Sequence, residues 1–361
     1  MKSYPLLIAL GGLSMLGACS SEPKDLPVME MSANVGIANT VDTASVISLE
    51  LAMLPEATDS TLLQYPSLAG IIDGNYYIHS KALMIFDDGG KCLMSANRVG
   101  QGPEEYGEYA RAYANKATGG WVVTAYPLGV KNYTRDAKFI STDFLPASNA
   151  LCQLGEDWAA TNNPLTTDTV CIYYYDNHFQ LTDTLKTHLK QRTYKVNGGI
   201  TGLNSHFYSY GKEAFIIRHD TVFSATDPKR GLVPTAIARF GDRMVPEDFD
   251  MAAHPNWFDE YIEPQYVFGK DYLLVMYAYE RPNNVMQFYD LSTGELVLSL
   301  SNIISREKPG FEMDYNGGKI YLSPLYKANG NKFYFSASED QMSALTGQED
   351  PNPGIFTLEI K

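Results

Sequence analysis

Two polar stretches in this sequence carry residue types able to hold a ligand. The first is Arg98-Val99-Gly100-Gln101-Gly102-Pro103-Glu104-Glu105-Tyr106. Arg98 is suited to pairing with a carboxylate or donating to a sugar hydroxyl, with Gln101, Glu104 and Glu105 completing a polar pocket. The same residues admit an architectural role. Gly100 and Gly102 permit backbone angles closed to other residues and Pro103 fixes its own φ, so the loop has a definite shape. In that role Glu105 caps backbone amides and Arg98 pairs with it. The second stretch is Pro246–Pro264, where Glu247, Asp248, Asp250, Asp259 and Glu260 surround His254, Trp257 and Phe258. Carboxylates beside aromatic rings suit a sugar or a calcium ion, although the spacing does not match an EF-hand loop. Its plainer reading is a solvated acidic loop with Trp257 packed into the body. The candidate ligand-binding residues are therefore Arg98, Gln101, Glu104, Glu105, His254 and Trp257.

Catalytic signatures do not accompany them. The six histidines, His79, His178, His188, His206, His219 and His254, show neither His-x-His nor His-Glu-x-x-His spacing. There is no Gly-x-Ser-x-Gly elbow, and Gly100-Gln101-Gly102 is not followed by a helix-forming stretch, so it is no nucleotide loop. On sequence, no catalytic residue, no metal-ligand set and no cofactor is assigned.

The N-terminus carries a different chemistry. Lys2, the apolar run from Pro5 to Leu16 and the ending Leu16-Gly17-Ala18-Cys19 describe a secretory signal too short to span a bilayer. Leu-Gly-Ala-Cys has the form of a bacterial lipobox, which makes Cys19 the acylated first residue of the mature chain and anchors the protein to a membrane through lipid. Residues 19–40, with Pro23 and Pro27, read as a flexible tether. The remaining cysteines, Cys92, Cys152 and Cys171, lack metal-ligand spacing. A Cys152–Cys171 bridge and buried free thiols are the two alternatives for them.

The elements that must position these residues are strands. Tyrosine and phenylalanine are abundant, 25 and 16 in 361 residues, and such rings favour sheets. A hairpin with Asp, Gly or Lys at its turn recurs about every fifty residues: Leu83–Ser95, Val130–Phe144, Cys171–Leu185, Thr221–Phe240 with a longer turn at Asp227–Gly231, Met286–Leu300, and weakly at the C-terminus. Inner strands precede them within Leu68–His79, Ala110–Tyr126, Leu151–Ala160, Asn204–His219, Gln265–Tyr279 and Ile320–Ala337. Six units of this length predict an all-β, six-bladed propeller with four-stranded antiparallel blades over residues 41–361, preceded by the signal peptide (1–18) and the tether. Ser45–Met53 and Gly354–Lys361 are both strand-like and are expected to close the ring on each other. Short helical turns are expected near Pro246–Phe258 and Glu339–Thr346.

The hairpin ending in Gly100-Gln101-Gly102-Pro103-Glu104-Glu105-Tyr106, behind a lipobox and inside six tyrosine-rich repeats, resembles the TolB-like six-bladed β-propeller lipoproteins of Bacteroidetes-type bacteria. That family's motif is closer to G-x-G-P-G-E-[FY], and Glu104 stands here in place of its third glycine. The resemblance implies the propeller fold and attachment to the outer membrane, on its periplasmic face or at the cell surface, without naming a substrate.

With 42 acidic against 28 basic residues the net charge is −14, which disfavours nucleic acid and anionic membrane surfaces as partners. The expected function is a non-catalytic binding module for a protein, peptide or glycan. Its rival is a propeller enzyme, a lactonase-like metal hydrolase or a sugar-active enzyme, whose ligands come from different blades to the channel mouth. An enzyme requires three or more carboxylates or histidines converging there; a binder shows an aromatic or mixed polar surface.

Overall fold

The computed structural model describes residues 25–31, 43–125, 129–145, 150–162, 169–190, 193–196, 199–202, 207–246, 249, 253–254, 256–279, 283–303, 305 and 310–361. Cys19 and the signal segment lie outside the described residues, as do 32–40 of the expected tether and Glu247, Asp248 and Asp250 of the acidic loop.

Strands that read as continuous apolar runs need cover on both faces, and a ring of radially packed sheets supplies it. Val28–Met29 is a short strand, β1, and a single helical turn, α1 (Thr43–Val46), leads into β2 (Ile47–Met53). Blade one is β3 (Ser67–Ile72), β4 (Asn75–His79), β5 (Leu83–Phe86) and β6 (Cys92–Ala96), and blade two is β7 (Ala112–Ala114), β8 (Trp121–Thr124), β9 (Val130–Tyr133) and β10 (Phe139–Asp143). Blade three is β11 (Ala150–Leu154), β12 (Asp157–Thr161), β13 (Thr169–Tyr175) and β14 (Leu181–Lys190). A separate hairpin follows, β15 (Thr193–Val196) and β16 (Gly199–Gly202). Blade four is β17 (Phe207–Tyr210), β18 (Glu213–Arg218), β19 (Thr221–Ser224) and β20 (Val233–Ala238). After a helical turn, α2 (Trp257–Glu260), blade five is β21 (Gln265–Phe268), β22 (Tyr272–Tyr279), β23 (Asn283–Asp290) and β24 (Leu296–Ile303).

Blade six closes the ring. Its long strand β26 (Gly318–Asn329) pairs over its first half with β25 (Phe311–Tyr315) and over its second half with β27 (Lys332–Ala337). An eight-residue helix, α3 (Glu339–Thr346), leads to β28 (Gly354–Ile360), and β2 lies outermost against β28, running antiparallel from Ile47 opposite Ile360 to Met53 opposite Ile355. The expected pairing of the two chain ends is thus present, and blade six takes its fourth strand from the N-terminal part of the chain.

The repeat that was legible as strand, turn and strand has a common local cause. In blades one, three and five an aspartate opens the outer turn. Asp87 Oδ1 accepts from the Lys91 amide at 2.9 Å, Asp176 Oδ1 from the Gln180 amide at 2.8 Å, and Asp290 Oδ1 from the Ser292 amide at 2.8 Å. In blade two Thr134 Oγ1 accepts from the Lys138 amide at 3.0 Å. Each turn then needs a left-handed residue, Gly90 (φ 85°), Ala137 (φ 56°), Phe179 (φ 58°) or Gly294 (φ 79°). Gly90 has a second reason: a Cβ there would stand 1.9 Å from the Leu54 carbonyl oxygen. All six blades also carry a register irregularity between the third strand and the outermost one, β2 and β28 included. Such bulges increase the local twist, which turns each outer strand away from its neighbour's edge.

The core is divided accordingly. Six apolar clusters each lie between consecutive blades, with Trp121 and Tyr106 between blades one and two, Trp158 between two and three, and Phe288, Phe333 and Phe356 between five and six. The fold is therefore all-β and six-bladed, as the repeats predict.

The stretch expected as a free tether differs where the structure describes it. Val28 and Met29 pair in parallel with Ile237 and Ala238 on the outer edge of blade four. Met29 and Met31 are fully buried between blades four and five, and the Glu30 carboxylate meets the Arg239 guanidinium at 2.5 Å. The physical reason is apolar burial: the chain turns tightly after β1, where Met31 N donates to Met29 O at 3.0 Å, and both methionine side chains enter the same apolar seat.

Candidate functional site

The loop from Arg98 to Tyr106 is built from within. Its ends are tied by Gly100 N to Tyr106 O and Tyr106 N to Arg98 O, both at 3.0 Å, and Glu105 Oε2 accepts from the Gly102 amide at 2.8 Å. Glu105 thus caps a backbone amide as the architectural reading requires. Arg98 has another partner: its Nε donates to the carbonyl of Ala137 in the outer turn of blade two, at 2.9 Å. The Tyr133 hydroxyl donates to Glu104 O at 2.9 Å, and Lys131 Nζ donates to Pro103 O at 2.5 Å. Tyr106 is buried among Tyr133, Tyr77 and Trp121. The loop is a clasp between blades one and two, with the side chains of Gln101, Glu104 and Glu105 exposed along its outer surface.

The Pro246–Pro264 insertion joins blades four and five, three steps around the ring from the first loop, so the two candidate stretches do not form one site. Phe249 gathers His254 (ring centroids 5.1 Å apart), Tyr261 (5.1 Å) and Trp257 (6.2 Å) into a satellite cluster with Val245. Trp257 is half-buried, packed against Phe249 of its own insertion. His254 Nδ1 lies 3.5 Å from the Glu260 carboxylate.

Neither stretch lines either of two cavities among the described residues that carry aromatic and polar side chains. One is a cleft of about 770 Å³ between blades six and one, at the face where inner strands begin. Tyr65 and Gln64 stand on one side, and Ser323, Ser336, Glu339 and Asp340 on the other. Tyr65 is 98% exposed and has a left-handed backbone, φ 51°. The two residues before it are anchored: the Gln64 amide donates to Ser80 Oγ at 2.8 Å, and the Leu63 amide donates to Asn352 Oδ1 at 2.9 Å.

The second is the central channel, a cavity of about 260 Å³ to which the inner strands of all six blades contribute. Its wall carries Tyr113, Tyr208, Tyr210, Tyr266, Tyr326 and Tyr334, together with Lys116, Lys327, Gln153 and Cys152, and among the described residues none that lines it is a carboxylate or histidine. The turns between first and second strands are laced together around it. Gly155 N donates to Gly211 O at 2.7 Å, Lys270 N to Gly330 O at 2.9 Å, and Gly330 N to the Tyr210 hydroxyl at 3.0 Å. Burial pushes the Tyr113 hydroxyl up to about 12 and the Cys152 thiol up to about 11, so both are neutral at pH 7. All three remaining cysteines are free thiols; Cys152 faces the channel and Cys171 is buried in β13.

Sequence reasoning did not find these two cavities. Tyr65 had one signal, its place before Pro66 at the entry to the first inner strand. Lys327 had another: Pro324 interrupts the apolar pattern within Ile320–Ala337, and proline inside a strand marks a bulge.

A model of the family described as 6-bladed beta-propeller, DUF5128, matches residues 27–309, beginning at the docked strand β1. Among solved structures, a candidate exported protein of Bacteroides fragilis is similar over 90% of this chain and 98% of its own, with a TM-score of 0.64 and 16% identity. A member of the duf4221 family from Bacteroides vulgatus is similar over 88% of this chain and 99% of its own, with a TM-score of 0.47 and 11% identity. A search of curated proteins finds no match. With six blades in the structure and a family match across most of its length, this chain belongs to the 6-bladed beta-propeller family DUF5128.

Proposed function

We propose that this protein is an exported, non-catalytic binding module of the TolB-like type, lipid-anchored at Cys19 to the outer membrane, and that its ligand is a glycan seated in the cleft between blades six and one. The observation that carries the reading is Tyr65, a ring held open to solvent beside Gln64, Ser323, Ser336, Glu339 and Asp340. An exposed aromatic face next to amide, hydroxyl and carboxylate groups matches a sugar, whose apolar face stacks and whose hydroxyls both donate and accept. A cleft of this volume lies within the range of about 300–1,000 Å³ usual for small-ligand sites. Protein and peptide ligands, the other two classes expected from sequence, make less use of a single open ring flanked by acceptors.

Titration calorimetry of the protein beginning after Cys19 against neutral oligosaccharides tests the cleft. Tyr65→Ala is expected to weaken binding about tenfold, because an aromatic contact contributes about 0.5–1.5 kcal/mol beyond area burial. Unchanged affinity in that variant, or hydrolysis of the sugar during the titration, argues for a different site or for the enzyme alternative. Fractionation of cells tests the anchor: Cys19→Ala is expected to move the protein from the membrane to the soluble fraction, since single weak contacts do not replace several acyl chains. A variant that stays in the membrane fraction would refute lipid attachment at that residue.

A further inference from the structure

We propose that the central channel is a second binding site, separate from the cleft, for a small organic carboxylate carried on a ring. Three observations of geometry lead there. First, in a chain whose acids outnumber its bases 42 to 28, the formally charged side chains lining the channel among the described residues are two lysines, Lys116 and Lys327. Arg111 stands beside the Tyr113 hydroxyl and adds a third positive charge near the same wall. Second, Lys327 is delivered by a deliberate irregularity. Opposite Phe335 and Phe333, β26 places Pro324 and Ala328, so Leu325, Tyr326 and Lys327 form a bulge, and Tyr326 adopts φ 53°, a conformation that a bulky side chain rarely accepts. Strain of this kind persists where surrounding structure enforces it and concentrates at functional sites. Third, the Lys327 ammonium lies 5.6 Å from the centroid of the Tyr113 ring, and among the described residues no carboxylate lies within salt-bridge distance of it or of Lys116.

The electrostatics agree with this geometry. Desolvation, reinforced by the Lys116 charge, holds the Lys327 ammonium below the usual lysine range. Its two neutral neighbours, the Cys152 thiol and the Tyr113 hydroxyl, supply no counter-charge at pH 7. An anion entering beside this partly buried ammonium would supply the charge-assisted hydrogen bonds that burial removed, since no described carboxylate does so. The tyrosine wall selects what the anion is attached to, favouring a flat or ring-shaped body that stacks. The volume, just below the usual range for small-ligand sites, limits that body to about one ring.

The test uses the same purified chain and four probes: glucuronate and 4-hydroxybenzoate as ring carboxylates, glucose as a neutral ring, and inorganic phosphate as an anion without one. Calorimetry or ligand-observed NMR is expected to show at least one ring carboxylate binding about tenfold or more tighter than glucose and phosphate, with affinity falling as potassium chloride is raised. Lys327→Met is expected to weaken that binding at least about tenfold while Lys327→Arg retains most of it, with Tyr65-dependent sugar binding unchanged in both. Should Lys327→Met fold poorly, Lys116→Gln, at an exposed turn, reads the same charge and is expected to weaken binding several-fold. The proposal is overturned if neither ring carboxylate binds, if glucose or phosphate binds the channel equally well, or if both lysine variants leave carboxylate affinity unchanged. Because Tyr65 is not in the channel, loss of cleft binding leaves this site standing, and the reverse holds too.

Discussion

A chain truncated to begin after Met53 is expected to lose its cooperative unfolding transition and to aggregate. The removed segment takes with it β1, whose Met29 is buried between blades four and five together with Met31, and β2, which supplies six backbone pairings to β28 and buries Ile47 and Met53 in two other inter-blade clusters. Each such apolar side chain contributes about 1.5–3 kcal/mol when fully buried, and the partly buried Leu49 and Leu51 add to this. The sum approaches the 5–15 kcal/mol that separates a typical folded domain from its unfolded chain. Without β2, moreover, β28 becomes an open edge carrying Ile355, Phe356, Leu358 and Ile360, an apolar sheet edge of the kind that recruits other chains. Calorimetry and light scattering of the truncated and full-length chains compare the two states. A synthetic peptide of residues 43–56, added in trans, is expected to restore part of the transition. Cooperative melting of the truncated chain within a few degrees of the full-length protein would show that ring closure contributes little.

Asn352→Ala is expected to cost about 2–5 kcal/mol of folding stability. Asn352 is fully buried, and its carboxamide holds one loop from both sides. Oδ1 accepts from the Leu63 amide at 2.9 Å, while Nδ2 donates to Glu56 O at 2.8 Å and Thr61 O at 2.9 Å. Truncation removes the printed partner of the Leu63 amide and of the Thr61 carbonyl in the seam where the C-terminal segment meets the entry to blade one, while Glu56 O keeps its bond from Thr61 Oγ1 at 2.8 Å. Each group left unpaired costs about 1–3 kcal/mol. Urea unfolding read by tryptophan fluorescence measures the change, since Trp121 and Trp158 are both fully buried. N352D adds a pH test with a definite sign. The new carboxylate would face the carbonyl oxygens of Glu56 and Thr61, so its folded-state pKa rises above the unfolded value of about 3.9. The neutral acid can donate to one of them, hence part of the lost stability is expected to return as pH falls from 7 toward 5. A cost below about 1 kcal/mol for Asn352→Ala would mean that water replaces all three bonds.

The blade pattern was legible because it rests on local rules. Asp87-Asp88-Gly89-Gly90 is a turn wherever it is placed, since Asp caps the turn and glycine accepts φ 85°, and the run Leu83–Phe86 has no polar face to expose. The helix at Glu339–Thr346 was expected at those residues and ends on Gly347 at φ 73°, a left-handed cap. The candidate residues fared differently. Glu105 accepts from the Gly102 amide three residues away, the local contact that the architectural alternative for this loop expects. The partner of Arg98, Ala137, is thirty-nine residues distant in the neighbouring blade, and no local rule names it.

Sequence by itself determined the all-β character, the number of blades, the outer turns and the pairing of Ser45–Met53 with Gly354–Lys361, because hydrophobic period and turn chemistry act over a few residues. Tertiary structure alone decided that Met29 and Met31 dock on blade four, that Tyr65 stands open over a cleft, and that Lys116 and Lys327 share one channel. Those arrangements join side chains hundreds of residues apart, and their energies come from burial and from unscreened charge, quantities that exist only once the ring has closed.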